Sequence, residues 1–206
     1  MRPTIISISG FSSESGKTSL LCGLLERSPN WEAIKITRGH YRSCGKDPHA
    51  CCVSNLLGDK PLVLSGYELT YKAGKDTGRF WESGASNVHW VVVTGDQVEA
   101  GTRAAVERVT SQAVLIEGNS FLKYIHSDFP IMVARPPFDS IKSSALSIMP
   151  RVRALYLSFC EPHTPGVGDF LAKLSNRIPA LRDTPIYYEK DLGTLVEKIG
   201  EFSAPM

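Results

Sequence analysis

Gly16, Lys17 and Thr18 follow one another in the stretch "GFSSESGKTSL" at residues 10–20, an order suited to holding phosphate. In the pattern G-x-x-x-x-G-K-[ST], successive backbone N–H groups curl around an anion at a helix N-terminus. The lysine reaches the outer phosphates and the hydroxyl binds Mg²⁺. The first glycine of that pattern belongs at position 11, where Phe11 stands, and Gly10 lies one residue earlier. The groups expected to touch nucleotide phosphate are Ser13, Glu14, Ser15, Gly16, Lys17, Thr18 and Ser19, all after that departure. The shifted glycine is therefore expected to lengthen the turn and leave the nest intact. Glu14 is the discordant member. Its carboxylate would repel polyphosphate, so it is expected to turn outward or to meet a cation.

Mg²⁺ held on phosphate also needs a carboxylate. The apolar run "VLIEGN" ends in Glu117, at the sheet edge where ligands of α/β proteins bind. "AGKDTGRFWESGA" places Asp76 in a glycine-flanked turn, with Lys75 and Arg79 beside it to meet phosphates. Thr18, Asp76 and Glu117 are thus the candidate Mg²⁺ ligands, and GTP or ATP the candidate nucleotide. In isolation "GKDTGR" reads rather as a solvated turn with an Asp helix cap. The phosphate loop upstream favours the functional reading.

Positioning these groups requires strands that deliver loops to one edge. Apolar runs at 4–9, 31–37, 89–94, 113–119, 131–136, 154–159 and 185–189 have strand character, and 62–69 reads as an edge strand or hairpin arm. Helical spacing occupies 17–27, 76–85, 97–110, 141–150, 168–177 and 191–202. This alternation predicts an α/β fold, a mostly parallel sheet with helices on both faces. At 206 residues the chain suits one domain, 1–206. A net charge of +2 gives no reason to invoke nucleic acid or a membrane surface. The apolar runs are too short to span a bilayer. "MRPTIISISG" reaches its glycine too early for a signal peptide, so a cytoplasmic location is expected.

One excursion, at about 38–61, has no clear period. It carries His40, Cys44, His49, Cys51 and Cys52, ligand types suited to zinc or an iron–sulfur cluster. No C-x-x-C spacing is present, so a surface lid with reduced thiols is the stronger reading, with hydrogen exchange expected to find it unprotected until ligand binds. Of the remaining cysteines, Cys22 is expected to face the core and Cys160 to line the nucleotide pocket. No N-K-x-D run for guanine occurs. Glu161 and His163, in "SFCEPHTPG", are the candidates to read a base edge. No residue stands out as a catalytic base.

The order "GKT", "IKIT", "AGKDTGRFWESGA", "VLIEG" resembles the molybdopterin-guanine dinucleotide biosynthesis protein B (MobB) family. The likeness is scattered over residues 5–136, and the "GKD…R…ESGA" segment is its most specific part. It implies a P-loop NTPase fold, GTP binding with weak or no intrinsic hydrolysis, and a homodimer. It also implies a role in molybdenum cofactor biosynthesis, with a guanylyltransferase or a molybdoenzyme as partner. By motif position it assigns Gly16, Lys17 and Thr18 to phosphate and Mg²⁺. Asp76, Arg79 and Glu117 fall in the family's turn and strand end. The chain departs from the pattern at Ser13, where a glycine is usual, and keeps only His40 of a histidine-rich stretch. Two other functions fit the residues: a P-loop kinase or ligase acting on a small molecule, and a metal- or redox-gated nucleotide switch.

Overall fold

A computed structural model describes residues 2–39, 53–136 and 141–203. Eight strands form one sheet in the order β3-β4-β2-β5-β1-β6-β7-β8. They are β1 (Thr4–Gly10), β2 (Glu32–Arg38), β3 (Leu62–Ser65), β4 (Asn87–Val93), β5 (Ala113–Glu117), β6 (Phe129–Ala134), β7 (Ala154–Leu157) and β8 (Ile186–Tyr187). All pairings are parallel except β3 with β4. The stretch 62–69 therefore splits. Its first half is the antiparallel edge strand, and Tyr67–Thr70 turns into a short helix, α2.

The period of two along each central strand builds a core on both faces of the sheet. Ile5, Val114, Ile116, Met132 and Ala134 face one way. Ile6, Ile8, Leu115, Ile131 and Val133 face the other. Helices α1 (Lys17–Leu25), α3 (Asp76–Glu82) and α7 (Leu192–Ser203) cover the second face through Leu21, Phe80 and Leu195. Helices α4 (Val98–Val106) and α6 (Val167–Arg177) cover the first through Ala105 and Leu174. The helix expected over 141–150 shrinks to four residues, α5 (Ser143–Leu146), followed by a 3₁₀ turn holding Pro150. Pro150 has no N–H to give the Leu146 carbonyl four residues back and its ring would clash there, which fits α5 ending at Leu146.

Two local devices place the site. Helix α3 stops at Glu82 because Gly84 takes φ 92°, so that Ala85 N–H reaches Phe80 C=O and Gly84 N–H reaches Trp81 C=O. This left-handed glycine ending fixes the helix length and the position of its start at Asp76. At the other end, Gly78 packs against the turn before the helix: a Cβ there would lie 2.2 Å from the Lys72 carbonyl oxygen. Of the excursion at 38–61, residues 40–52 lie outside the described residues, and with them His40, Cys44, His49, Cys51 and Cys52. Of its tail, Asn55, Leu56, Gly58, Asp59 and Lys60 are exposed. Val53 is buried and, with Leu57, lies against Gly39. Among the described residues no helix is long and apolar enough to cross a membrane.

Candidate nucleotide and metal site

Residues 10–16 leave β1 and wrap over its end before α1 begins. Glu14 has φ 60° and Gly16 φ 93°, so the loop alternates handedness, the backbone pattern from which anion-binding nests are built. Gly16 also has no room for a side chain, because a Cβ would lie 2.6 Å from that of Ser158. The displaced Gly10 works by space as well: a Cβ there would stand 2.3 Å from Ser15 Oγ and 2.9 Å from Lys17 Cδ. The lysine and its loop pass directly over this glycine. Phe11, which stands where the pattern asks for glycine, is buried in the core. The longer loop is thus accommodated by an aromatic anchor below and a bare backbone above.

Neighbouring strand ends brace the loop. The Asn119 side chain accepts from Gly10 N–H and donates to Gly10 C=O, both at 2.9 Å. Ser158 Oγ donates to Ser15 C=O at 2.6 Å, and Lys142 Nζ donates to Ser13 Oγ at 2.9 Å. Lys17 Nζ folds back to Ser12 C=O at 3.1 Å. Burial, foremost, pulls the Lys17 pKa below the usual lysine value, with Lys35 and Lys142 adding to this and Glu117 opposing. An arriving phosphate would supply the missing countercharge.

At the foot of the loop Thr18 meets both expected carboxylates. Its Oγ1 donates to Glu117 Oε2 at 3.0 Å and lies 3.3 Å from Asp76 Oδ1. Glu117 is 3% exposed, held rigidly on its strand. One hydroxyl and two carboxylates form an all-oxygen donor set, the kind Mg²⁺ takes. These residues fit the metal. A cation missed in the sequence is also here: Lys35 Nζ lies 2.5 Å from Asp76 Oδ2 and 2.7 Å from Glu117 Oε1. Burial works against its charge, but Glu117 and then Asp76 outweigh that and raise its pKa. Burial would raise the pKa of Asp76, and Lys35 more than offsets this, leaving it below the usual carboxylate range.

The groups line a cleft of about 510 Å³, in which Lys17, Lys35, Arg79, Arg135 and Lys142 face Glu14, Asp76 and Glu117. Glu14 is exposed, on the rim. Arg79 reaches Ser19 Oγ at 3.4 Å, whereas Lys75 is exposed at the start of α3 and outside the cleft lining. A second cleft of about 340 Å³ shares Ser19, Arg79 and Phe159 with the first and adds Glu26, Tyr156 and Glu189. Phe159 is 59% exposed, has φ 57°, and lies 4.7 Å beneath the Arg135 guanidinium. Glu161 pairs with Lys190 at 3.5 Å, and neither it nor His163 lines either cleft. Cys22 lines the second cleft from the core, while Cys160 packs against the other core cluster and lines neither.

Comparison with solved structures settles the architecture. The fold is similar to HypB from Helicobacter pylori in complex with nickel, at TM-score 0.54 and 14% identity, covering 98% of this chain and 87% of that one. The fold is that of a P-loop NTPase. A second likeness is to the "apo" form of LpxK from Aquifex aeolicus in complex with ATP, at TM-score 0.48 and 15% identity, covering 91% and 71%. No family model matches the chain, and no curated protein matches it in sequence. The P-loop assignment thus rests on architecture and on the residues just described. The loop's glycine is displaced, but its brace, its lysine and its hydroxyl–carboxylate foot are all assembled.

Proposed function

We propose that this chain binds a Mg²⁺–nucleoside triphosphate over residues 10–19. Lys17 and the loop N–H groups take the outer phosphates, and Thr18, Asp76 and Glu117 hold the metal. The observation that carries the reading is the convergence of Thr18 with two carboxylates from separate elements, at the foot of the loop over residues 10–16. The cationic excess of the cleft suits a polyanion. The adjoining recess, floored by Phe159, is the place for the base, an aromatic face being a general platform for stacking. Within this reading we propose the finer role implied by the MobB resemblance: an accessory to guanylylation in molybdenum cofactor maturation, working as a homodimer with a transferase or molybdoenzyme. Its support is that all four motif segments of the resemblance meet at one cleft.

Calorimetric titration with Mg²⁺–GTP and Mg²⁺–ATP tests the first level. Wild type should bind, and Lys17→Ala should lose binding while keeping its melting temperature, since Lys17 serves no core contact. Equal affinity in the variant would remove the phosphate loop from the argument. The finer role requires preference for guanine and faster guanylyl transfer to molybdopterin when the chain is added to a transferase.

A further inference from the structure

Lys35 is used by nothing in the nucleotide reading, yet it is the most tightly held charge at the site. It sits on β2 directly beside Glu117, its parallel register partner on β5, so the sheet itself aims the two side chains together. Asp76 closes from α3 on the other side. Each carboxylate is divided in the same way. One oxygen takes the Lys35 ammonium, at 2.5 Å and 2.7 Å, and the other faces Thr18 Oγ1. Each of the four carboxylate oxygens thus already has a partner, the ammonium on one side and the hydroxyl on the other. The Lys35 side chain is 18% exposed, which leaves it a path outward into the cleft it lines.

We infer that Lys35 is a resident counter-ion of the metal site, holding Asp76 and Glu117 until Mg²⁺ arrives with nucleotide and then swinging to the phosphates. This rests on the nucleotide reading, but it is tested without nucleotide. A metal ion entering alone must displace an ammonium that bridges two carboxylates and leave it unpaired in a half-buried cleft, which is costly. With nucleotide present, the displaced ammonium finds a phosphate as its new partner. The site would then accept metal and nucleotide together, and metal alone poorly. In metal-free solution Lys35 would stay on the two carboxylates and offset their repulsion of the phosphates, an offset that Lys35→Met lacks.

The test uses Mn²⁺ as a paramagnetic probe on the full chain in the absence of nucleotide. Wild type should bind it weakly, and Lys35→Met at least about tenfold more tightly, because a competing charge at contact distance is gone. In parallel, chelating the metal should weaken nucleotide binding by a larger factor in Lys35→Met than in wild type. Unchanged or weaker Mn²⁺ binding by a folded Lys35→Met would overturn the inference and leave Lys35 as a brace for the carboxylates. Should the variant fail to fold, the wild type still decides: Mn²⁺ binding without nucleotide as tight as with it would also overturn it. Failure of nucleotide to bind at all would defeat the nucleotide reading and leave the metal titration standing.

Discussion

Phe159 and Glu117 show how single residues divide the work of this site. Phe159 holds a backbone conformation that costs a non-glycine residue about 1–3 kcal/mol, and leaves its ring exposed above the P-loop. Glycine at that position relieves the strain and deletes the ring. Phe159→Gly is therefore expected to melt no lower than wild type while losing about 1–3 kcal/mol of nucleotide affinity, the range for one base–aromatic stack. Lower stability with unchanged affinity would make the ring structural. Among the carboxylates, Glu117 is fixed on a buried strand, and the Asp76 side chain is 40% exposed at a helix start. Glu117→Gln should consequently reduce the Mg²⁺ dependence of nucleotide binding more than Asp76→Asn does, as read by titration with and without chelator. Thr18, Asp76 and Glu117 were legible in the sequence because each belongs to a local pattern. Lys35 was not. Its partner Glu117 is 82 residues away, and only the strand register brings them together.

Elements set the distances between these residues, and the turn at 72–76 is where that is most exposed to damage. Gly78 packs so closely on the Lys72 carbonyl that an alanine cannot fit without moving the turn. Gly78→Ala should cost about 1–3 kcal/mol of stability by overpacking. It should also displace Asp76, so that the Mg²⁺ dependence of binding falls as in Asp76→Asn. Binding of metal-free nucleotide to the nest should survive, since residues 10–18 are braced by Asn119, Ser158 and Lys142 instead. Thermal melting and calorimetry on the same preparation separate the two effects. The sequence pattern conveys why the element is needed but not its limits. The alternation of apolar runs reveals the parallel sheet, because each buried strand is a run of Ile, Val and Leu. The end of α3 depends on Gly84 adopting a left-handed φ, and the antiparallel pairing of β3 depends on β4, and neither is written in a local period. The loop's Gly10 is a similar case: its value is clearance for Ser15 and Lys17, which no motif spacing states.

For the molecule as a whole, a second charged cluster stands at the opposite edge of the sheet from the P-loop. Glu32 and His89 are both buried, with His89 Nε2 2.7 Å from Glu32 Oε2 and His89 Nδ1 2.8 Å from Ser65 Oγ. Glu32 Oε1 accepts from Thr110 N–H, Thr110 Oγ1 and Ser111 N–H, at 2.8, 3.0 and 2.8 Å. The cluster ties β2, β4, β3 and the turn before β5 into one register. Burial would raise the pKa of Glu32, but the bonds from His89, Thr110 and Ser111 outweigh it and hold the carboxyl below the ordinary glutamate value of 4.5. A depressed folded-state pKa contributes stability that is present above the unfolded value and lost as pH falls through the folded one. Acid unfolding should therefore begin below 4.5 and carry a contribution from this edge. Asp76 is depressed as well and titrates in the same acid range, so the wild-type curve alone does not isolate Glu32. Glu32→Gln does: its amide oxygen can still accept from Thr110 and Ser111, and its NH₂ can donate to His89 Nε2. That variant should show a flatter acid limb in pH-dependent melting, while His89→Leu, which strips a partner from a buried carboxylate, should lose about 3–5 kcal/mol at neutral pH. Nucleotide affinity at neutral pH should be unchanged in Glu32→Gln, because the cluster and the cleft share no residue. An acid limb identical to wild type would show that the Glu32 carboxyl is not held low by this network.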